Sequence, residues 1–328
     1  MEILESGLGP MLQPPDLDAF REFNRRKPKT LIDKRMTEAE AIARFVHDGD
    51  YIGTELYGTV RCPMSLVSEI IRQGRKDLRL AGQGVLELDM LIGAGAVKAM
   101  DQTYMALEVY GVSNCLRREV ESGRLSPVVE WSNAGIAWRF KAAAMGVPFL
   151  PTRSMLGTDT FKYSSAKVVR DPFTGQPVCL LPALILDVGL IHVHRADAYG
   201  NAQVDGITGF CAEMARASKR LILSTEKIIP TEEIRQQPDR TIIPYYLVDA
   251  VVEAPFGSHP GEMAYGYERD EEQIKEWVES SKTPEATRAY LDKYVFAVSD
   301  HAAYRSLIGG PRLQALADAA QAAAGRQP

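Results

Sequence analysis

The chain has only four cysteines, Cys62, Cys115, Cys179 and Cys211, and they are widely scattered. No Cys-x-x-Cys pair occurs and no histidine falls at ligand spacing, so neither a disulfide framework nor a metal site is indicated. A reducing, cytoplasmic setting is the expectation. No run approaches the ~20 apolar residues of a membrane span, and the amino terminus shows no basic region followed by an apolar stretch. The chain is therefore predicted to be soluble, unexported and free of membrane. Charge of one sign is also scarce, with a net −5 over 328 residues. Lacking basic clusters interleaved with aromatics, the chain is not expected to bind nucleic acid. Repeats and low complexity are missing too, apart from an alanine-rich stretch after Leu313, read as a fraying helix end.

Hydrophobic residues make up 45% of the chain, ample for a real core. Residues 1–30 read as an extension rich in proline (Pro10, Pro14, Pro15, Pro28), lying over the surface or a partner, with a short helix from Asp16 to Arg25. Residues 31–315 form the main domain and 316–328 a tail. Thr37 and Glu40 have capping-box spacing ahead of a helix with Ala41, Phe45 and Val46 on one face. Strands are predicted at Tyr51-Ile52, Leu78–Ala81, Val147–Pro151, Leu184–Val193, Arg220–Ser224 and Ile242–Glu253, with Ala99–Val109 extended. Ile136, Phe140, Ala143 and Ala144 mark a helix, and Asp171–Pro177 a surface turn. Strands alternating with amphipathic helices imply an α/β fold, an open and mostly parallel sheet with helices on both faces. Sites then gather at the strands' carboxyl ends.

The stretch Asp48-Gly49-Asp50-Tyr51-Ile52-Gly53-Thr54-Glu55-Leu56-Tyr57-Gly58-Thr59-Val60-Arg61-Cys62-Pro63 reads as turn, buried strand, loop and helix start. Pro63 suits a helix's first turn, where a missing N–H costs nothing, and Gly74 ends that helix. Such a loop offers backbone N–H groups and a helix dipole to an anion or a developing oxyanion.

This stretch resembles the first signature of the family I coenzyme A transferases, specifically the glutaconate CoA-transferase α subunit. Further blocks resemble it in order: Asp89–Gly93 before Val97-Lys98-Ala99, Lys141–Pro151, Ile191-His192 and Val248–Pro260. The resemblance runs from about Leu31 to Leu313. It implies the family's α-subunit fold and a two-subunit enzyme whose nucleophilic glutamate lies on a β-type partner. The chain would then need that partner in a hetero-oligomer and would be inactive alone. The substrates would be an acyl-CoA and a small carboxylic or dicarboxylic acid, with coenzyme A thioester as substrate and no further cofactor. The family usually has Gly-Gly-Phe where this chain has Glu55-Leu56-Tyr57, which narrows the site and adds a carboxylate.

Within that frame, Glu55 and Glu108 are the catalytic candidates, and Thr54, Tyr57, Gly58, Thr59, Arg61 and Gln83 the substrate-binding ones. The plainer alternatives are that Glu55 pairs with Arg61, that Arg61 is solvated or intersubunit, and that Tyr57 and Thr59 pack the loop. Gln83 and Glu108 are predicted at strand ends on one rim; Glu108 needs burial to serve as acid or base, and is otherwise a surface carboxylate. Ser132 and Asn133 suit a helix cap. Asn133, where ring-cleaving relatives carry a glutamate, counts against ring hydrolysis. His192 and His194 alternate on one strand face without a third ligand, so a hydrogen-bonded core or interface pair is expected. Cys62 reads as a buried, inert thiol. The enzyme alternatives are a ring-cleaving acyl-CoA hydrolase or a decarboxylase on the same scaffold; a non-catalytic structural subunit is the third reading.

Overall fold

The computed structural model describes residues 2–55 and 58–325. Its strands are β1 (Ile3–Ser6), β2 (Tyr51–Thr54), β3 (Leu78–Gly82), β4 (Val97–Gln102), β5 (Val128–Glu130), β6 (Phe149–Thr152), β7 (Lys167–Arg170), β8 (Pro177–Pro182), β9 (Leu186–Ala196), β10 (Ala202–Gln203), β11 (Ser218–Ile228), β12 (Thr241–Ile243) and β13 (Ala250–Glu253). The main sheet has nine strands, with β9 at its branch point. One edge of β9 pairs with β11, which continues to β13. Its other edge is shared by β2 near its start and β10 at its end. From β2 the order runs through β3 and β4 to β5, all parallel.

Alternation along each strand places successive side chains on opposite faces, and both faces are packed. Tyr51, Ala81, Ile191 and Leu223 join one cluster, beneath Ile136 and Phe140 of the helix Asn133–Met145 and Met214 of Cys211–Ala217. Ile52, Leu80, Leu190 and Ile222 join the other, beneath Val67 and Ile70 of Met64–Arg72, Leu88 of Leu86–Gly93 and Trp277 of Glu271–Ser280. This is the expected α/β sheet with helices on both faces. The capping box at Thr37 and Glu40 is formed, opening the helix Glu38–Phe45.

Two features depart from the sequence reading. A separate antiparallel sheet, β1-β7-β8-β6, stands beside the main one and takes the extension's Ile3–Ser6 as its edge. Its β7–β8 hairpin encloses the turn expected at Asp171–Pro177, where Gly175 N donates to Asp171 O at 2.9 Å. The predicted strand Ile242–Glu253 is two strands, because Pro244 and a 3-10 turn at Tyr245–Leu247 interrupt it. Proline has no N–H for the ladder, so the chain leaves the sheet after β12 and re-enters beside β11 as β13. No helix among the described residues is long and apolar enough to cross a membrane. The alanine-rich tail belongs to a helix, Gly310–Ala324.

Candidate active site

Beyond Glu55 at the carboxyl end of β2, the loop residues from Gly58 to Cys62 lie over the end of β3. A parallel bridge joins Gly58 to Gly84, and another joins Val60 to Glu262. Glu262 anchors the loop further: its N donates to Thr59 O at 2.8 Å, its carbonyl accepts from Arg61 N at 2.9 Å, and its carboxylate accepts from Thr59 Oγ1 at 3.2 Å. Gly58 has φ +70°, a conformation glycine adopts without strain. Arg61 holds φ +51° although it bears a side chain, a strained geometry of the kind found at functional loops.

Glu55 and Arg61 form an ion pair of 2.5 Å that is closed to solvent on both sides. Arg61 also donates to the carbonyls of His192 and Ile207, at 3.1 and 3.2 Å. Its guanidinium is therefore committed inside the protein, so it is neither solvated nor free to grip an incoming carboxylate. Burial pushes the Glu55 carboxyl up to about 7, against the pull of Arg61 and with help from the charge of Glu87.

Thr54 is fully buried at the end of β2. Gln83, immediately after β3, is buried and donates from Nε2 to Asn133 O at 2.6 Å. Tyr57 and Leu56 lie outside the described residues. Glu108 corrects its predicted setting, since β4 ends at Gln102 and Glu108 sits six residues on, in a 3-10 turn with φ +50°. It is exposed, so the burial that acid–base duty required of it is missing. Its carboxylate nonetheless reaches the loop: a methyl group added at Gly58 would meet Glu108 Oε1 at 3.3 Å. The structure thus gathers Thr54, Glu55, Gly58, Thr59, Arg61, Gln83 and Glu108 at one edge of the sheet, with Glu55 and Arg61 beneath the surface and Glu108 above it.

Glu87 was missed by sequence reasoning. It occupies the first turn of Leu86–Gly93, where the helix dipole favours a carboxylate, yet it is fully buried. Burial pushes it up to about 7, with its own backbone N–H, Cys62 and Thr54 drawing it down. Neither of its oxygens reaches full hydrogen-bond geometry with a described residue. Gly84 makes room for it: a Cβ there would lie 1.8 Å from Glu87 Oε1 and 2.8 Å from Thr54 Oγ1. Gly84→Ala is expected to displace the carboxyl at a cost of about 1–3 kcal/mol, readable in urea unfolding. A loss below the error of that measurement would mean that the cavity wall yields freely. The signal in the sequence was the glutamate directly after Gly82-Gln83-Gly84-Val85-Leu86, at a strand-to-helix corner. Cys62, beside Glu87, is buried and its thiol is pushed well up, in keeping with an inert role.

A second network braces the loop from behind. Parallel pairing sets Ser224 beside His192, and Ser224 Oγ meets His192 Nδ1 at 2.8 Å. His192 Nε2 meets Glu226 Oε1 at 2.7 Å, and Glu226 also accepts from Tyr267 Oη at 2.7 Å and Phe256 N at 2.7 Å. Burial pushes Glu226 up, but the hydrogen bond from His192 and its other donors outweigh that and hold it below its ordinary value. Ser224 and His192 are fully buried, so this serine–histidine–glutamate chain is structural. It fixes the turn at Phe256-Gly257, whose Gly257 carbonyl accepts from Ser65 N at 3.1 Å behind the loop. Ser224 and Glu226 share one strand face by alternation, the clue that links them. His194 Nε2 donates to Ala264 O at 2.8 Å, so both histidines are hydrogen-bonded core residues. Ser132 caps Asn133–Met145 by accepting from Gly135 N at 2.9 Å.

Exposed apolar side chains stand near the loop: Tyr104, Val109 and Val112 on the segment that carries Glu108, and Ile207, whose carbonyl accepts from Arg61, with Tyr265 packed against Gly206 one residue before it; Val109 is 81% exposed and Tyr265 62%. Five large apolar side chains bordering a catalytic-type loop suit coverage by another protein surface.

A parallel α/β sheet carrying such a strand–loop–helix corner defines a class of proteins that place substrate at the sheet's carboxyl edge. Within it, the chain belongs to the coenzyme A transferase family, whose model ("Coenzyme A transferase") matches residues 35–254. A protein from Archaeoglobus fulgidus is 50% identical over 315 residues, 95% of this chain and 70% of its own length. The A subunit of glutaconate CoA-transferase from Acidaminococcus fermentans is 36% identical, covering 86% of this chain and 94% of its own. The crystal structure of that organism's glutaconate coenzyme A-transferase superposes with a TM-score of 0.83 over 86% of this chain and 95% of the other, at 35% identity. The decarboxylase AibA/AibB, solved as a cysteine-to-serine variant, is similar with a TM-score of 0.70 and 29% identity over 79% of this chain and 98% of that one.

Proposed function

We propose that this chain is the α subunit of a two-subunit CoA-transferase, which moves CoA between an acyl-CoA and a small carboxylic or dicarboxylic acid. The reading rests on one observation: both carboxylates built into the loop's base, Glu55 and Glu87, are sealed from solvent, with exposed apolar side chains close to the loop. Neither can attack a thioester carbonyl, so the nucleophilic glutamate is supplied by a β-type partner seated on those apolar side chains. This chain contributes the loop from Gly58 to Arg61 as the oxyanion side of the pocket, with Thr59 and Gln83 as polar lining. Glu108, the exposed carboxylate near Gly58, stands at the pocket's rim and acts there through its charge on how the acid substrate is oriented. Coenzyme A enters as a thioester substrate; the chemistry of acyl transfer through a glutamyl anhydride asks for no further cofactor.

The relation to a decarboxylase keeps a second reading in view, favoured by the two carboxyls with proton affinities near neutrality. One experiment separates them. The chain, alone and co-purified with its β-type partner, is incubated with an acyl-CoA panel with and without acetate, and the products are identified by mass spectrometry. Transfer gives acetyl-CoA only with acetate and only with the partner. Free CoA or CO₂ released without an acceptor would replace this proposal with hydrolysis or decarboxylation.

A further inference from the structure

We propose that a cavity on the opposite edge of the sheet, walled by the helix Leu17–Arg26, binds a nucleoside di- or triphosphate. The cavity holds about 420 Å³, within the range of small-molecule sites. Lys27, in its wall, donates to the carbonyls of Lys219 and Leu247 and to Asp249, at the amino ends of β11 and β13. The candidate active site lies at the carboxyl ends, so the two are separate. The helix also precedes the segment that the coenzyme A transferase model matches, residues 35–254. The proposal does not depend on the function assigned to the other edge.

The charge of the cavity is one-sided. Arg21, Arg25, Lys29 and Arg216 line it together with Lys27, and no Asp or Glu among the described residues does. Lys27 is spent on Asp249 at 2.6 Å, and Arg25 has only Glu22 at 3.8 Å, which Arg26 holds more closely at 2.8 Å. Arg21, Lys29 and Arg216 enter no ion pair among the described residues. Cations lining one concave surface raise the positive potential there, and phosphate oxygens are what arginine forks match.

A purely structural purpose would be to serve the carboxyl end of Asn133–Met145, which opens into the same cavity. Two of its carbonyls near that end are taken, Ala142 O by Val147 N and Ala143 O by Gly146 N, both at 3.0 Å, and no arginine or lysine side chain among the described residues donates to Ala144 O or Met145 O. Arg216 instead donates to Ala212 O in its own helix, and Lys29 to Asn24 O. The guanidinium of Arg21 and the rest of that of Arg216 remain available.

The apolar part of the cavity selects among phosphates. Tyr246, 40% exposed, stands with Phe20 and Leu17 beside the cations. An inorganic anion would use only the charges, whereas a purine or pyrimidine ring stacks on an exposed tyrosine while its phosphates reach the arginines.

The test is calorimetric titration of the full-length chain with ADP and, separately, with pyrophosphate at low ionic strength. ADP is expected to bind at least about tenfold more tightly than pyrophosphate. The double variant Arg21→Gln/Arg216→Gln should weaken ADP by about tenfold or more, and Tyr246→Ala should weaken ADP while leaving pyrophosphate unchanged. Arg117→Gln, on an exposed helix face elsewhere, should change neither. Circular dichroism checks the fold of each variant, and Lys29→Gln, at an exposed position, stands in if the double variant fails to fold. Absence of ADP binding at millimolar concentration, equal affinity for ADP and pyrophosphate, or indifference to the arginine and lysine substitutions would each overturn the assignment.

Discussion

Replacing Arg61 with methionine is expected to destabilise the protein by about 3–5 kcal/mol at pH 8, the cost of leaving a buried charge without its partner. Glu55 would lose its counter-charge in a position closed to water. The carbonyls of His192 and Ile207 would lose donors at the same time. The loss should shrink toward pH 5, because Glu55, already pushed up to about 7, takes a proton and ceases to be a buried anion. Arg61→Lys should rescue little, since one ammonium cannot reach a carboxylate and two carbonyls that a planar fork spans. The double variant Glu55→Gln/Arg61→Met should recover part of the loss, exposing a coupling between the two positions. Urea unfolding at pH 5 and 8 reads all four proteins. A loss under about 1 kcal/mol at pH 8 would mean that water or backbone movement compensates the charge, and the sealed pair would contribute little to the stability of the fold.

The order of elements was legible because each rests on local chemistry. The Thr37 capping box, Pro63 ahead of Met64–Arg72 and the apolar run of β9 are written within a few residues of where they act. The parallel sheet and the strand–loop–helix corner followed from them. What failed was non-local or hinged on a single proline. β1 pairs with β7 far along the chain, and no period in Ile3–Ser6 announces that partner. Pro244 divides a run whose apolar residues alone read as continuous.

At the site, the residue types were readable while their direction was not. Glu55 and Arg61 were both visible in one short loop, and their pairing was one of the two readings of it; the fold forms that pair and shows that it faces inward. Glu108 was expected on the loop's rim at a strand end, and it does reach the loop, but from a turn beyond β4 that carries it outward. Glu87 escaped notice because a glutamate in a helix's first turn is ordinary, and its burial depends on Gly84 one turn earlier leaving space. Shape complementarity between a missing side chain and a neighbouring carboxyl carries no sequence pattern of its own.

Glu87 makes the second large prediction. Its ordinary value is 4.5 and in the fold it stands near 7, so between those values the folded protein holds a proton that the unfolded chain has released. Stability contributed by this group is complete below 4.5 and is lost as pH rises through 7. Glu55 acts in the same direction over the same window. His301, pushed down to about 4 by burial, acts oppositely between 4 and 6.5, which masks the trend in the wild-type curve on the acid side. Glu87→Gln isolates the effect, because glutamine mimics the protonated carboxyl and cannot ionise. At about 1.4 kcal/mol per pH unit, the variant should gain on wild type from about pH 5 upward and stand on the order of 3 kcal/mol ahead by about pH 8. Thermal or urea unfolding at half-unit steps measures the difference. Two parallel curves would show that Glu87 ionises in the folded protein as it does in the unfolded chain, its charge stabilised by donors around it. A widening gap would establish a carboxyl beneath Gly84 that keeps its proton up to about pH 7 and in that neutral form can donate a hydrogen bond to the loop's underside.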